Sequence, residues 1–280
     1  MRTLTAAAAA IATLLAAGTA SAGKSDDTLN AAFLAEPEAM DHYKIAGREG
    51  LIIARHIYDG LLEKDVVAGT VKPALATAWT FVDPMTLELT LREGVKFHDG
   101  STFDADDVVY TLETIKEAAY GARYRFTVDW IDKVEKVDAY KVRLKMARPN
   151  AAALEMLAGM LPIYPGDYFK AAGSAGMAAK PVGTGPYRLV EMSPGTRYVL
   201  ERFDDHFAGS IKSKPAVRRI VVRTVPEAST QYAELLAGRL DWIWRVPPDQ
   251  ARRLATQPAI QIVNGSIMRI GLIQFNAAGK

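Results

Sequence analysis

The residues able to do chemistry are few and poorly grouped. The four histidines are His42, His56, His98 and His206, and the chain has no cysteine. No two histidines stand at i, i+4 spacing, so no helical metal pair exists. Without cysteine there is no disulfide, no thiolate metal site and no thiol nucleophile. A metal or haem site would need distant histidines brought together by the fold.

Two carboxylate pairs, Asp106-Asp107 and Asp204-Asp205, are adjacent in the sequence. Catalytic carboxylates must face each other across a substrate. Neighbours on a strand point to opposite faces, and neighbours on a helix diverge around its axis. Neither pair is an acid–base site. The string from Phe97 to Asp107, F-H-D-G-S-T-F-D-A-D-D, is acidic but lacks the alternating ligands and closing glutamate of a calcium loop. It reads instead as a turn followed by a capped helix start. Gly183-Thr184-Gly185 begins like a dinucleotide fingerprint, but Pro186 follows and the third glycine is missing. A nucleophile elbow is absent from the sequence.

Aromatic residues carry more information. Trp242 and Trp244 lie two apart on an expected strand and so share a face. Tyr124 and Phe126 do the same if their segment is extended. Such pairs fit a core, or one wall of an apolar ligand cleft.

The elements that position these residues are mixed. Thr28 to Phe33 is an apolar strand. Ile45 to Leu62 has a helical pattern closed by Gly60. Ala78 to Val82 and Leu87 to Leu91 form a hairpin about Asp83-Pro84-Met85, since Leu87, Leu89 and Leu91 alternate with polar residues. A helix starts near Asp104, with Asp106 and Asp107 complementing its dipole. Val142 to Met146 alternates as a strand, and Ala151 to Met160 is a helix stopped by Pro162. Gly173 to Gly176 is a small-residue loop. Tyr187 to Glu191 and Tyr198 to Arg202 form a second hairpin across Ser193-Pro194-Gly195. Beyond it come a strand (Ile220 to Val225), a helix (Glu227 to Ala237), a strand (Leu240 to Trp244) and a short helix (Gln250 to Ala255). Ile260 to Val263 and Ile267 to Phe275 read as the last strands. The layout is α/β in the mixed α+β sense.

Composition sets the surroundings. Lys+Arg number 34 against 32 Asp+Glu, with no basic block, which argues against a nucleic-acid partner. A hydrophobic content of 49% is that of a folded globular chain. Met1-Arg2, a charge-free run from Leu4 to Ala17, and Ala20-Ser21-Ala22 make a secretory signal peptide cleaved after Ala22. The run is too short to span a bilayer. With no cysteine for a lipid anchor, the periplasm is the expected destination. The chain left after cleavage is long enough for one to two domains.

Five strings occur in a fixed order. They are Y-D-G-L-L (Tyr58 to Leu62), P-A-L-A-T-A-W (Pro73 to Trp79), L-T-L-R-E-G-V-K-F-H-D-G (Leu89 to Gly100), A-D-D-V-V-Y-T-L-E (Ala105 to Glu113) and P-V-G-T-G-P-Y (Pro181 to Tyr187). Together they resemble the extracytoplasmic solute-binding proteins of family 5, the group that binds dipeptides, oligopeptides, nickel, haem, opines or glutathione. The resemblance covers essentially all of the mature chain.

It implies a periplasmic-binding-protein fold of type II, with a ligand trapped between two closing lobes. Residues 1–22 would be the signal peptide, 23–58 and 181–270 lobe I, 59–180 an inserted subdomain, and 271–280 the start of the hinge. Lobe II would lie outside this sequence, which reads as an amino-terminal portion. The resemblance further implies ligand contacts from Ala46, Gly47, Arg48, Tyr124, Trp244 and Arg245. It implies no catalytic residue, no cofactor, and a monomer that captures a peptide-like solute for an inner-membrane ABC permease. A nickel, haem or other small-solute binder of the same family is the alternative, followed by an exported hydrolase.

Overall fold

The computed structural model describes residues 26–212 and 215–265. The signal peptide, the strand expected from Ile267 and the hinge segment therefore lie outside the described residues. Two sheets organise the rest.

The first sheet is built around β1 (Thr28–Phe33), whose last three residues are fully buried. β1 is flanked on both sides by parallel partners, β10 (Arg219–Thr224) and β11 (Trp242–Ile243). A strand buried between parallel neighbours is expected to be apolar along its length. β9 (Arg197–Arg202) runs antiparallel to β10, and β8 (Tyr187–Ser193) antiparallel to β9, giving the order β11-β1-β10-β9-β8. Helix α1 (Arg48–Ile57) packs over it, with Ile53, Ala54 and Ile57 buried.

The second sheet is antiparallel, in the order β4-β5-β7-β6. Its strands are β4 (Ala76–Asp83), β5 (Thr86–Leu91), β6 (Ile131–Asp138) and β7 (Lys141–Met146). Leu87 pairs with Leu144 and Leu89 with Val142, so period-two alternation puts one apolar face together. Helix α2 (Ala105–Lys116) covers that sheet with Val108, Leu112 and Ile115. Its start is a capping box: the Asp104 side chain accepts from the Asp106 N–H, and Asp107 accepts from the Asp104 N–H. That is the role of the acidic string. A small hairpin pairs β2 (Leu62–Asp65) with β3 (Thr70–Pro73), next to β4.

Several elements differ from the sequence reading. The helical pattern from Ile45 yields a helix only over Arg48–Ile57, capped at Tyr58; Gly60 instead forms a bridge with Pro162. Gly173 to Gly176 is no loop. It lies inside α4 (Gly166–Ala179), which kinks at Gly173 where φ is +61°. At Gly173 the backbone leaves helical geometry, so two helical runs meet there across a kink that glycine accommodates. The expected helix from Ala151 contracts to α3 (Ala153–Leu157). Residues 260–263 form no strand. The helices α5 (Ala228–Leu236) and α6 (Pro248–Leu254) stand where expected.

The strings that carried the resemblance have structural explanations. A Cβ on Gly183 would meet the Ile57 carbonyl at 2.2 Å, and one on Gly185 would meet the His56 carbonyl at 2.5 Å. These glycines let one backbone lie against the end of α1. Between them the buried Thr184 hydroxyl donates to Asp59 at 3.0 Å. Lys212 completes the node, 2.7 Å from Asp59 and donating to the Tyr58 carbonyl at 2.6 Å. Burial pushes the Asp59 carboxyl up, but the Lys212 ammonium and His206 outweigh it and hold it well below the usual carboxylate range.

Candidate functional site at the start of helix α1

The residues singled out around Ala46 gather at one end of α1. Gly47 is the N-cap, in extended conformation, and no side chain caps the helix there. The first-turn N–H groups of a helix have no intrahelical partner and favour acceptors. Ala46 is held from both sides: its N–H donates to Glu38 at 3.2 Å, and its carbonyl accepts from the Tyr124 hydroxyl at 3.2 Å. Arg48 is exposed beside them.

Tyr124 reaches this point from the second region of the chain. Its segment is not extended; Arg125–Thr127 is a 3-10 turn, and Tyr124 and Phe126 meet edge to face at 6.1 Å. Both are exposed, at 41% and 58%, so they are no part of the core. Next to Tyr124 a pocket of about 230 Å³ opens, lined among others by His42, Leu51, Arg55 and Met160. Burial pushes the His42 imidazole down to about 4, against the hydrogen bond with the Met160 carbonyl, so it is neutral at neutral pH.

Trp244 and Arg245 arrive from the loop behind β11. Trp242 and Trp244 do share a face: both stand edge-on to Phe33 of β1, at 6.2 and 6.1 Å. Trp242 is 40% exposed while Trp244 packs against the core. Arg245 has φ of +60°, uncommon for a residue with a side chain. Its guanidinium lies 5.6 Å from the Trp244 ring centre and 3.8 Å from Glu49.

Glu49 is the residue the sequence reading missed. It sits in the first turn of α1 and is buried. Its Oε1 has no hydrogen-bond partner among the described residues, and neither has the Trp244 indole N–H. A Cβ built on Gly47 would stand 3.8 Å from both Glu38 Oε1 and Glu49 Oε2, so two carboxylates border the helix start. The only signal for Glu49 was its place, three residues after Ala46 in a helix whose inward face also takes Ile53.

The carboxylate pairs have structural partners. Asp107 also accepts from the Gly166 N–H at 2.7 Å, and burial pushes its carboxyl up to about 6. Asp204 pairs with Arg202 and Asp205 with Lys96. Among the described residues no group of three or more His, Asp or Glu is placed to hold a metal ion.

The mixed sheet joined to an antiparallel second sheet is the architecture of periplasmic binding proteins. The DppA periplasmic binding protein of Helicobacter pylori, solved with the peptide STSA, superposes with a TM-score of 0.74 at 26% identity, over 82% of this chain and 49% of that one. The family model for bacterial extracellular solute-binding proteins, family 5 Middle, matches residues 70–280, and the chain belongs to that family. Curated relatives include heme-binding protein A of Haemophilus influenzae, 27% identical over 80% of this chain and 44% of the relative. The dipeptide-binding protein of Escherichia coli K12 is 28% identical over 80% of this chain and 45% of the relative. Each is named as a binding protein. The chain spans about half the length of these relatives. Among the described residues no helix is long and apolar enough to cross a membrane.

Proposed function

We propose that this chain is part of the periplasmic substrate-binding component of an ABC importer. It captures a peptide or peptide-like solute and hands it to an inner-membrane permease, without catalysis, nucleic acid or cofactor, as a monomer. Residues 1–22 serve as the signal peptide. Residues 23–58 and 181–270 form lobe I around the five-stranded sheet, and 59–180 form the inserted subdomain around the four-stranded one. The observation that supports this reading is that Tyr124 reaches Ala46 and Arg245 reaches Glu49 at the uncapped start of α1, beside Gly47 and Arg48 and with Trp244 under the Arg245 guanidinium, in a chain of this family.

The chemistry suits an extended solute with amide groups. The free N–H groups of α1 offer donors to carbonyl or carboxylate oxygens. Trp244 and Tyr124 offer apolar walls, and the pocket beside Tyr124 has room for a side chain. Calorimetric titration of the full native protein with a di- and tripeptide library tests this reading. Saturable one-to-one binding that is lost on replacing Gly47 by proline is the expected result. Turnover of any bound peptide, or no binding across the library, overturns it.

A further inference from the structure

The buried Glu49 carboxylate poses a question that peptide amides do not answer. Its side chain is 7% exposed, yet Oε1 makes no hydrogen bond among the described residues. A buried carboxylate left without donors is costly. The group nearest to compensating it is the Arg245 guanidinium, and that contact is poor. At 3.8 Å it is an ion pair without a hydrogen bond, and the Arg245 side chain is 49% exposed. Arg245 reaches it from a backbone with φ of +60°, where a side chain is disfavoured. The same guanidinium lies over the Trp244 ring. One cation therefore supplies both a countercharge and a ring contact, from a strained tether and at long range.

We propose that the carboxylate of Glu49 and the face of Trp244 form a seat for a cationic nitrogen of the ligand, a primary ammonium or a guanidinium, which Arg245 occupies until the ligand displaces it. This rests on the reading of the α1 start as the ligand site and adds the charge of the group recognised there. A free ammonium can approach Glu49 to hydrogen-bonding distance, which Arg245 does not. It also sits over an aromatic ring, an arrangement favourable to cations out of water. Displaced, Arg245 turns to the exposed rim. The ligand's neighbouring carbonyl then meets the Trp244 indole N–H or the first-turn amides of α1, which answers the second orphan atom. Glu38 borders the same point and reinforces its preference for positive charge.

The test titrates the full native protein with trialanine, N-acetyl-trialanine, and agmatine, a guanidinium amine with no peptide bond. Trialanine is expected to bind at least about tenfold more tightly than its acetylated form, as loss of a charge-assisted hydrogen bond requires. Glu49→Gln should remove that preference. Arg245→Gly, which relieves the backbone and empties the seat, should tighten trialanine or agmatine by about threefold, the scale of an exposed ion pair. Acetylated and free peptides binding alike, with Glu49→Gln indistinguishable from the parent, overturn the seat while leaving peptide capture intact. Agmatine bound in a Glu49-dependent way with no peptide bound supports the seat and sinks the peptide reading. A parent protein that binds none of the three overturns both. Should Glu49→Gln misfold, the direction of the Arg245→Gly effect decides.

Discussion

Two buried carboxylates near the start of α1 are treated in opposite ways. Asp41, fully buried, accepts from the Tyr43 N–H at 3.2 Å, the Tyr164 hydroxyl at 2.9 Å, the Tyr120 hydroxyl at 2.6 Å and the Ser174 hydroxyl. Those donors come from both halves of the chain, so Asp41 ties the second sheet's surroundings to the first. Glu49 has an oxygen with no donor and one distant cation. A buried carboxylate with a full set of donors is an anchor; one with an oxygen left over and only a distant cation calls for another explanation. On the proposed reading, the contrast separates what holds the fold from what a ligand would complete.

The comparison breaks most readily at Asp41. Asp41→Ala removes one acceptor and strands three hydroxyls, of which Tyr164 is fully buried. A loss of about 4 kcal/mol in urea unfolding is expected. A loss below about 1 kcal/mol would show that Asp41 is no anchor. Next in size is Lys212→Met. It leaves Asp59 and Glu63, which are 1% and 2% exposed at the side chain, with less countercharge. About 3 kcal/mol is expected by the same measurement, because an unpaired buried charge is what costs.

pH sharpens the same contrast. Burial holds His42 and His98 down to about 4 in the folded protein, against 6.5 when free. Depressed values mean that the unfolded chain binds protons first. Stability is full above pH 6.5 and is lost as pH falls towards 4. Asp59, also depressed, extends the loss to lower pH. Asp107, raised to about 6, opposes it, its contribution being greatest below 3.8 and lost as pH rises through 6. With the imidazoles of His42, His56 and His98 all held down against one raised carboxyl, the melting temperature should fall from pH 7 to pH 4, and the Asp59 contribution is lost only below 3.8. A flat profile would contradict the burial of these rings.

The smallest effect is the most telling. Glu49→Gln removes a charge that has no hydrogen bond at Oε1 and only a partly exposed partner. Stability should change by less than about 1 kcal/mol, or rise. A loss on the scale of Asp41→Ala would make Glu49 a structural residue and close the distinction.

Much of the fold was legible because local patterns coincide with burial. Leu87, Leu89 and Leu91 alternate and do face the core, and Asp104 to Asp107 cap α2 as carboxylates at a helix start should. α4 was not legible: Gly173 to Gly176 read as a loop, whereas only Gly173 departs from helical geometry, at a kink between two helical runs. Tyr124 and Phe126 were read as an extended pair, but a 3-10 turn leaves both exposed. Of the candidate site, the resemblance supplied Ala46, Gly47, Arg48, Tyr124, Trp244 and Arg245. Glu49 escaped because a glutamate in a first helical turn looks like dipole compensation.

By itself the sequence determined the strand and helix periods, the turn at Asp83-Pro84, the cap of α2 and the family, since each depends on residues near one another or on ordered strings. Tertiary structure alone decided that Arg245, with its guanidinium over Trp244, lies against Glu49, about two hundred residues away along the chain. That meeting requires β11 to pair with β1, a non-local choice set by packing of a whole sheet and invisible in any local pattern.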